Sequence, residues 1–300
     1  MIWLVAAIVA PLLQGIANVL DNYLANRLFK NLWTLTFYST LLNVAFLPLI
    51  LVFQVPALPS LELLPFFFLI GLIQVFYLVP YYKALQKAET SVVTALFSLG
   101  RIFVPVLAFL LVGEVLYPIQ YAGFLMVIAA SVALSFNGKS GFRFDTSFFY
   151  MLLCSLILAV EVVVYKYLFE SVSWSTGLVW PLVFSLFIAL SFLLVPKLSK
   201  DIITSRKVFK TNFRLFASEE LLTFLGFAAS LYAISLAPVT IVKGIGSLQA
   251  LFVLLFALAF YRLFPRVFRE GIDHRSLLKK SVCFALMILG VFLTLQGGVV

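Results

Sequence analysis

Long apolar runs recur along the chain, and they constrain its fold more than any other feature. Ten of them stand out, at residues 2–20, 35–53, 63–82, 91–112, 119–136, 148–168, 177–195, 215–236, 239–261 and 278–295. A helix needs about 20 mostly apolar residues to cross a bilayer. A sequence that is 64% hydrophobic and 11% charged lacks the polar residues to cover a water-soluble surface. The expected fold is therefore an all-α polytopic membrane protein with ten transmembrane helices.

Residues suited to metal or redox chemistry are few. Cys154 and Cys283 both lie in apolar runs, as small core residues do, and His274 is the single histidine. No nucleophile–base pair, metal-ligand set or carboxylate dyad has recognisable spacing. We expect no metal, no cofactor and no enzymatic activity. The first run has no basic residues before it and is expected to be a retained helix rather than a signal peptide.

Basic residues collect in alternate loops. Of the 21 lysines and arginines, all but Arg101, Lys166 and Lys243 fall in loops that follow odd-numbered runs. Because such residues accumulate on the cytoplasmic side, these loops are predicted to be cytoplasmic and both termini non-cytoplasmic, in the cell membrane. The stretch KLSKDIITSRKVFKTNFR, residues 197–214, is predicted to lie at the membrane surface against anionic lipid headgroups. Nucleic-acid binding is the poorer interpretation of its charge, because no folded domain presents it.

The two halves of the chain can be aligned at an offset of 149 residues. The polar residues of the two fourth runs then coincide, Ser91, Thr94, Ser98 and Arg101 falling on Thr240, Lys243, Ser247 and Ala250. Gln74, Tyr77 and Tyr81 fall likewise on Thr223, Gly226 and Ser230. Spacings of three and four residues put each set on one helix face. Such stripes either line a shared cavity or bond neighbouring helices together.

Five helices per half is an odd number, so the second half is expected to be inverted relative to the first. The predicted organisation is a first repeat at 1–137, a linker at 138–147 and a second repeat at 148–300. Inverted repeats are a recurring transporter design, with the substrate site near the midplane at the repeat interface.

Several motifs between Tyr81 and Leu134 carry a family resemblance. They are the aromatic-Ala-Leu segment at 82–85, the small-residue turn at 88–91, Pro105, the Gly113-Glu114 pair and Gly123. A fainter copy, LYAISLAPVTIVKGIGSLQALFVLLFALAF, occupies the second half and is followed by Gly290. In these features the chain resembles the drug/metabolite transporter (DMT) superfamily, in its ten-helix EamA-type branch.

The resemblance implies export of a small metabolite, often an amino acid or related solute, by alternating access. Two features depart from the family pattern. Arg262-Leu263 stands where the second copy would have Gly-Glu. Family members of this size usually place both termini in the cytoplasm, opposite to the orientation that the loop charges predict.

Two cations lie inside apolar runs. Arg101 is about ten residues into its run, roughly 15 Å deep at 1.5 Å per residue. A lipid-facing arginine there costs at least ~2.5 kcal/mol, so Arg101 is expected to face either a cavity or an acidic partner. Lys243, one turn into its run, either faces the same cavity or extends its stem to the outer interface.

The predicted substrate site combines the two cations with the polar stripes. Its residues are Arg101, Lys243, Thr94, Ser98, Ser247, Gln74, Tyr77, Tyr81 and Asn18, with Ser91 and Thr240 in the same stripes. Two cations among few carboxylates favour a substrate with a carboxylate or another anionic group, which the fork of an arginine can bind with two hydrogen bonds.

Acidic residues supply a candidate for ion coupling. Glu161 lies deep in the sixth run, and burial favours the protonated form of a carboxyl group, so Glu161 is the predicted proton carrier. Asp21 follows Gln14 and Asn18 on one face of the first run. Two further acids, Glu219 and Glu220, begin the eighth run and are expected at the cytoplasmic surface.

Three functional classes compete at this stage. The leading hypothesis is a secondary transporter for an amino acid or organic anion-like solute. A lipid flippase of the same fold is the alternative, and a membrane-embedded enzyme is a weaker one. The predicted partners are a small molecule, membrane lipids and a coupling proton, with no nucleic acid, in a monomer or homodimer.

The loop charges make a direct prediction about orientation. A phosphatase fused after Val300 should be active and a fluorescent protein fused there should be dark, because both termini are predicted to face away from the cytoplasm. The reverse pair of results would show that the usual family orientation holds.

Overall fold

The computed structural model describes residues 2–29, 31–88, 90–135, 146–263 and 274–296, and these residues are mainly helical with no strand among them. The helices are α1 (Ile2–Tyr23), α2 (Leu32–Ala45), α3 (Pro48–Leu51), α4 (Leu64–Phe76), α5 (Leu78–Leu85), α6 (Thr90–Arg101), α7 (Val104–Val112), α8 (Pro118–Ser135), α9 (Thr146–Leu168), α10 (Trp174–Ser191), α11 (Pro196–Thr211), α12 (Phe213–Leu236), α13 (Val239–Gly246), α14 (Gln249–Leu263) and α15 (His274–Thr294). A π-helical turn at Leu24–Leu28 extends α1. Most of the predicted linker, at 136–145, lies outside the described residues.

Seven helical segments in the described part of the chain are long and apolar enough to cross a membrane. They are Ile2–Leu28, Leu32–Leu51, Leu61–Leu85, Thr146–Leu168, Trp174–Leu194, Phe213–Leu236 and Val239–Phe256. Shorter apolar helices, Pro118–Ala130 and Ser281–Thr294, correspond to the fifth and tenth predicted runs. The fourth predicted run is divided between α6 and α7.

Among the described residues, helix breaks occur in four of the apolar runs, and the fourth run of each half, here called a broken run, contains one of them. In one, α6 ends at Arg101 and α7 begins at Val104, next to Pro105, which has no N–H to continue the preceding helix. In the other, α13 ends at Gly246 and α14 begins at Gln249, just after a glycine pair that favours helix termination. Backbone groups freed by such breaks need partners inside the protein when the helix crosses a bilayer.

Glycines mark several close helix crossings. A Cβ atom at Gly123 of α8 would lie 2.5 Å from the carbonyl oxygen of Gly290 in α15. A Cβ at Gly71 of α4 would lie 2.9 Å from the carbonyl of Pro181 in α10. Only glycine fits these positions without moving backbone, and small residues are the usual means by which membrane helices approach closely.

Helices from the two halves of the chain pack against each other. The most extensive helix pairs are α1 with α12 and α8 with α15. The helix α9 packs against α5 and against both parts of the first broken run, α6 and α7. The helix α1 packs in the same way against α13 and α14, the two parts of the second broken run. Each broken run is therefore braced by a helix from the other half of the chain.

The basic segment at 197–214 contains the amphipathic helix α11. Its buried side is pinned to α2, where the Tyr38 hydroxyl donates to the Ile202 carbonyl (2.8 Å) and the Asn31 amide donates to Asp201 Oδ2 (2.7 Å). The ring of Phe209 stacks on Tyr38. The opposite side exposes the basic residues Lys197, Lys200, Arg206, Lys207 and Lys210. Contact of this side with anionic lipid stays a prediction.

The α8–α15 crossing gives a test of the packing. Gly123→Ala should lower the free energy of unfolding by about 1–3 kcal/mol, because the added methyl group meets backbone rather than a movable side chain. The matched control is Ala122→Leu, at the neighbouring exposed position of α8, which should have little effect. Thermal denaturation in detergent measures both, and equal melting temperatures for Gly123→Ala and wild type would contradict the crossing.

Candidate functional site

A cavity of about 200 Å³ lies among the helices and is lined by both halves of the chain. Its polar lining consists of Gln14, Asn18, Asp21, Ser39, Thr40, Asn43, Gln74, Tyr77, Tyr81, Tyr82, Arg101, Ser155, Glu161, Ser185, Glu219, Glu220, Thr223, Lys243 and Gln249. Of the predicted site residues, this set includes Arg101, Lys243, Gln74, Tyr77, Tyr81, Asn18 and Glu161.

Arg101 joins the two helix breaks. It is the last residue of α6, and its guanidinium donates from Nη1 to Ser247 Oγ (2.9 Å) and from Nη2 to Gln249 Oε1 (3.2 Å). These acceptors stand at the α13–α14 break. Both are neutral, so they position the guanidinium without neutralising its charge. The positive charge of Arg101 thus remains available at the cavity wall.

Lys243 is the second cation of the cavity. Its ammonium group donates to Ser230 Oγ of α12 (3.2 Å). It is repelled by Arg101 and attracted by Glu161. These contacts hold Lys243 within the bundle, rather than extended toward the outer interface.

Glu161 of α9 is 3% exposed, and its Oε1 has no hydrogen-bond partner among the described residues. Beside it, the amide of Gln74 donates to the Tyr165 hydroxyl (2.8 Å), and the Gln74 Oε1 is also without a partner in the described part of the chain. The attraction of Lys243 is the main interaction that favours a charged Glu161. A titratable carboxyl with an open oxygen therefore faces the cavity.

Three more carboxylates line the cavity, and two of them correct a prediction. Glu219 and Glu220 were expected at the cytoplasmic surface, but they are 1% and 3% exposed. The reason is the length of α12, which begins at Phe213 and has carried the chain nearly two turns into the bundle by Glu219. They lie close to Asp21 because α1 packs tightly on α12. The expectation of a cavity with few carboxylates was therefore wrong.

Neutral groups hold these three acids. The Tyr81 hydroxyl donates to Asp21 Oδ2 (2.9 Å). Thr223 donates to Glu219 Oε1 (2.8 Å), and the Asn43 amide donates to Glu220 Oε2 (3.2 Å). We call Asp21, Glu219 and Glu220 the acidic cluster. It gives the cavity an acidic region distinct from the one that contains Arg101 and Lys243.

The predicted hydroxyl stripes are largely absent from the lining. Thr94 donates to the carbonyl of Thr90 in its own helix (2.8 Å), and Ser247 bonds Arg101. Thr240 is buried and does not line the cavity. Short hydroxyl side chains bond readily to the preceding turn of a helix, which explains why helix phase alone misplaced them. The side chains of Ser91 and Ser98 lie outside the described residues.

Glu114, which follows the end of α7, has a structural role at the start of α13. The left-handed turn at Gly113 (φ 66°), where glycine avoids strain, ends α7 and directs the chain toward α13. The Glu114 carboxylate then accepts the amides of Val239 (2.6 Å) and Thr240 (3.0 Å). These amides are free donors at the start of α13, so Glu114 caps that helix.

Several lining residues escaped the sequence analysis, namely Ser39, Thr40, Asn43, Tyr82 and Gln249. The polar residues of the second run carried a usable signal. Ser39 and Asn43 are four residues apart, hence on one helix face, within an otherwise apolar run. Gln249 carried none, because its importance comes from the break that precedes α14.

Comparison with known proteins supports the assignment that the motifs suggested. Residues 1–136 match the EamA-like transporter family. No curated protein matches the chain. A solved structure titled only "Crystal structure of protein" superposes with a TM-score of 0.63 at 17% identity, covering 95% of this chain and 96% of that chain. At that identity the likeness shows a shared fold alone.

The family match and the apolar helices lead to one assignment. The match supports the predicted superfamily, and seven segments able to cross a membrane make the protein multi-pass. The match of residues 1–136 to the EamA-like transporter family therefore supports membership of the drug/metabolite transporter superfamily, and the apolar helices indicate a multi-pass membrane protein.

Proposed function

We propose that the protein is a secondary transporter that exports a small solute bearing a carboxylate or another anionic group, by alternating access across the cell membrane. The observation that carries this proposal is the guanidinium of Arg101, which lines the cavity and whose hydrogen bonds in the described part of the chain go to the neutral side chains of Ser247 and Gln249. A buried charge that forms no ion pair is stabilised when an anionic ligand binds. An amino acid or an organic anion fits this requirement.

The size and lining of the cavity favour a small solute. Pockets for drug-sized ligands usually measure about 300–1,000 Å³, and this one is about 200 Å³ with 19 of its lining residues polar. A lipid flippase would need a largely apolar path for an acyl chain. The small volume and the charged residues of the lining therefore favour solute transport over the flippase alternative.

The packing pattern supports ten helices arranged as inverted repeats at 1–137 and 148–300. If each helix is replaced by its counterpart in the other half, the contact of α1 with α12 corresponds to that of α9 with α4 and α5, the third run. The contact of α9 with α6 and α7 corresponds in the same way to that of α1 with α13 and α14. Breaks in the fourth run of both halves fit the same exchange. Discontinuous helices at a repeat interface typically form the substrate site of such transporters, and movement of one repeat against the other gives alternating access.

Glu161 is the proposed coupling residue. Its buried carboxyl has an open oxygen and lies within electrostatic range of Lys243. A proton that binds Glu161 removes this attraction and frees Lys243 for the substrate. Substrate and proton occupancy are linked in this way, as coupled transport requires.

Substitution of Arg101 tests the anion site. Arg101→Lys keeps the charge but loses the two-pronged contact with Ser247 and Gln249, so affinity for a transported anion should fall by about tenfold or more. Arg101→Ala should abolish uptake into proteoliposomes yet still insert, because removal of an intramembrane charge does not impair insertion.

The controls separate binding from folding. Ser98→Ala, a hydroxyl deletion in the same helix, should have a smaller effect than Arg101→Lys, and Lys200→Ala, an exposed cation of α11, should have none. If Arg101→Ala transports normally but is unstable in detergent, the arginine serves only the helix junction and the anion site is wrong.

A further inference from the structure

We infer that the acidic cluster binds an organic ammonium group of the transported solute. The inference rests on the proposed function and narrows it to solutes that carry a positive and a negative group apart from each other. The cluster is a second binding region of the same cavity, complementary to the one that contains Arg101 and Lys243.

The charges of the acidic cluster favour a cationic ligand. Asp21, Glu219 and Glu220 are all at least nine-tenths buried, and they act on one another as neighbouring negative groups. Their hydrogen-bond donors, from Tyr81, Thr223 and Asn43, are all neutral. Buried carboxylates of the same sign need a positive charge or protons to be stable, and no cationic side chain is among these donors.

Two oxygens of the acidic cluster are free to accept hydrogen bonds from a ligand. Asp21 Oδ1 and Glu219 Oε2 are buried and have no hydrogen-bond partner among the described residues. Asn18, one turn before Asp21, lines the cavity with an unpartnered donor, its side-chain Nδ2, which suits an acceptor group of the solute rather than the ammonium group. An ammonium group has up to three N–H donors, enough to satisfy both carboxylate oxygens at once.

Aromatic side chains beside the acidic cluster favour an organic cation. Tyr77, Tyr81 and Phe97 line the same cavity, with the Tyr81 ring centroid 5.4 Å from that of Phe97 and 6.5 Å from that of Tyr77. Aromatic faces next to carboxylates attract organic ammonium groups through cation–π interaction. The described residues contain no group of three acidic, cysteine or histidine side chains arranged to hold a metal ion. Together these features favour an organic ammonium over a metal cation.

The two cations of the protein are engaged elsewhere in the cavity. Arg101 bonds the α13–α14 break, and Lys243 bonds Ser230 while it attracts Glu161. A solute whose carboxylate meets Arg101 can therefore present an ammonium group to the acidic cluster. The cavity is thus suited to a zwitterion of small size.

Matched pairs of acids with and without an amino group test the inference. Binding of 6-aminohexanoate and hexanoate, and of 4-aminobutanoate and butanoate, is measured on the purified full-length protein by titration calorimetry. The two lengths allow for the span between the two regions. At least one aminated acid should bind wild type about tenfold or more tightly than its partner, as expected for a charge-assisted hydrogen bond.

Variants of the acidic cluster test whether it causes the preference for the aminated acid. In the double variant Asp21→Asn, Glu219→Gln the ratio of affinities within the preferred pair should fall to near one, whereas Glu62→Gln, an exposed acid outside the cavity, should keep it. The wild-type comparison needs no variant, so a double variant that fails to fold leaves the test decidable.

Each other outcome overturns a specific claim. Equal affinities within both pairs in wild type would make the acidic cluster a proton-binding site and overturn the inference, while the proposed function stands. A preference that persists in the folded double variant would place the ammonium group elsewhere and also overturn the inference. Failure of all four acids to bind would contradict the anion site and the inference together.

Discussion

A guanidinium inside an apolar helix bundle must find polar partners, and this requirement organises the centre of the protein. Arg101 meets it by bonding Ser247 and Gln249 across the break between α13 and α14. Ser247 follows the end of α13 and Gln249 begins α14, so the acceptors stand at the break itself. The charge and the broken helix therefore depend on each other: the arginine is satisfied by the break, and the break is bridged by the arginine.

The neutrality of these partners gives the cavity its chemistry. An acidic partner would have formed a buried ion pair and left little positive field for a ligand. Here the cations are held by hydroxyl and amide groups, and the acidic cluster is held by tyrosine, threonine and asparagine. Apart from the attraction between Lys243 and Glu161, the cations and the acidic cluster thus occupy different parts of one cavity. Buried charges of this kind are unfavourable in the empty cavity, and a ligand of matching charge stabilises them. The charges therefore contribute to the affinity for such a ligand and select it over ligands of other charge.

Sequence patterns predicted what depends on local apolarity and on single charged residues. Long apolar runs indicated the membrane helices, and the depth of Arg101 and Glu161 in their runs indicated residues that face a cavity. The gain from the family motifs was the Gly113-Glu114 turn, whose carboxylate caps α13. Patterns failed where the answer depends on tertiary packing. Glu219 and Glu220 follow a basic loop, and only the α1–α12 crossing explains why they are buried. Thr94 of the first stripe and Thr240 and Ser247 of the second were placed by helix phase alone, but their hydrogen bonds and burial keep them out of the cavity lining.

The central claim is that one cavity is reached from both sides of the membrane in turn. Thiol accessibility measures this directly, in a chain with Cys154→Ala and Cys283→Ala in which Ser185→Cys places one thiol on the cavity wall. Leu58→Cys and Lys200→Cys, both exposed and predicted to lie on opposite faces, serve as single-sided controls. A membrane-impermeant maleimide should label Ser185→Cys from either side of oriented vesicles, and each control from one side only. Labelling of Ser185→Cys from a single side would contradict alternating access to this cavity.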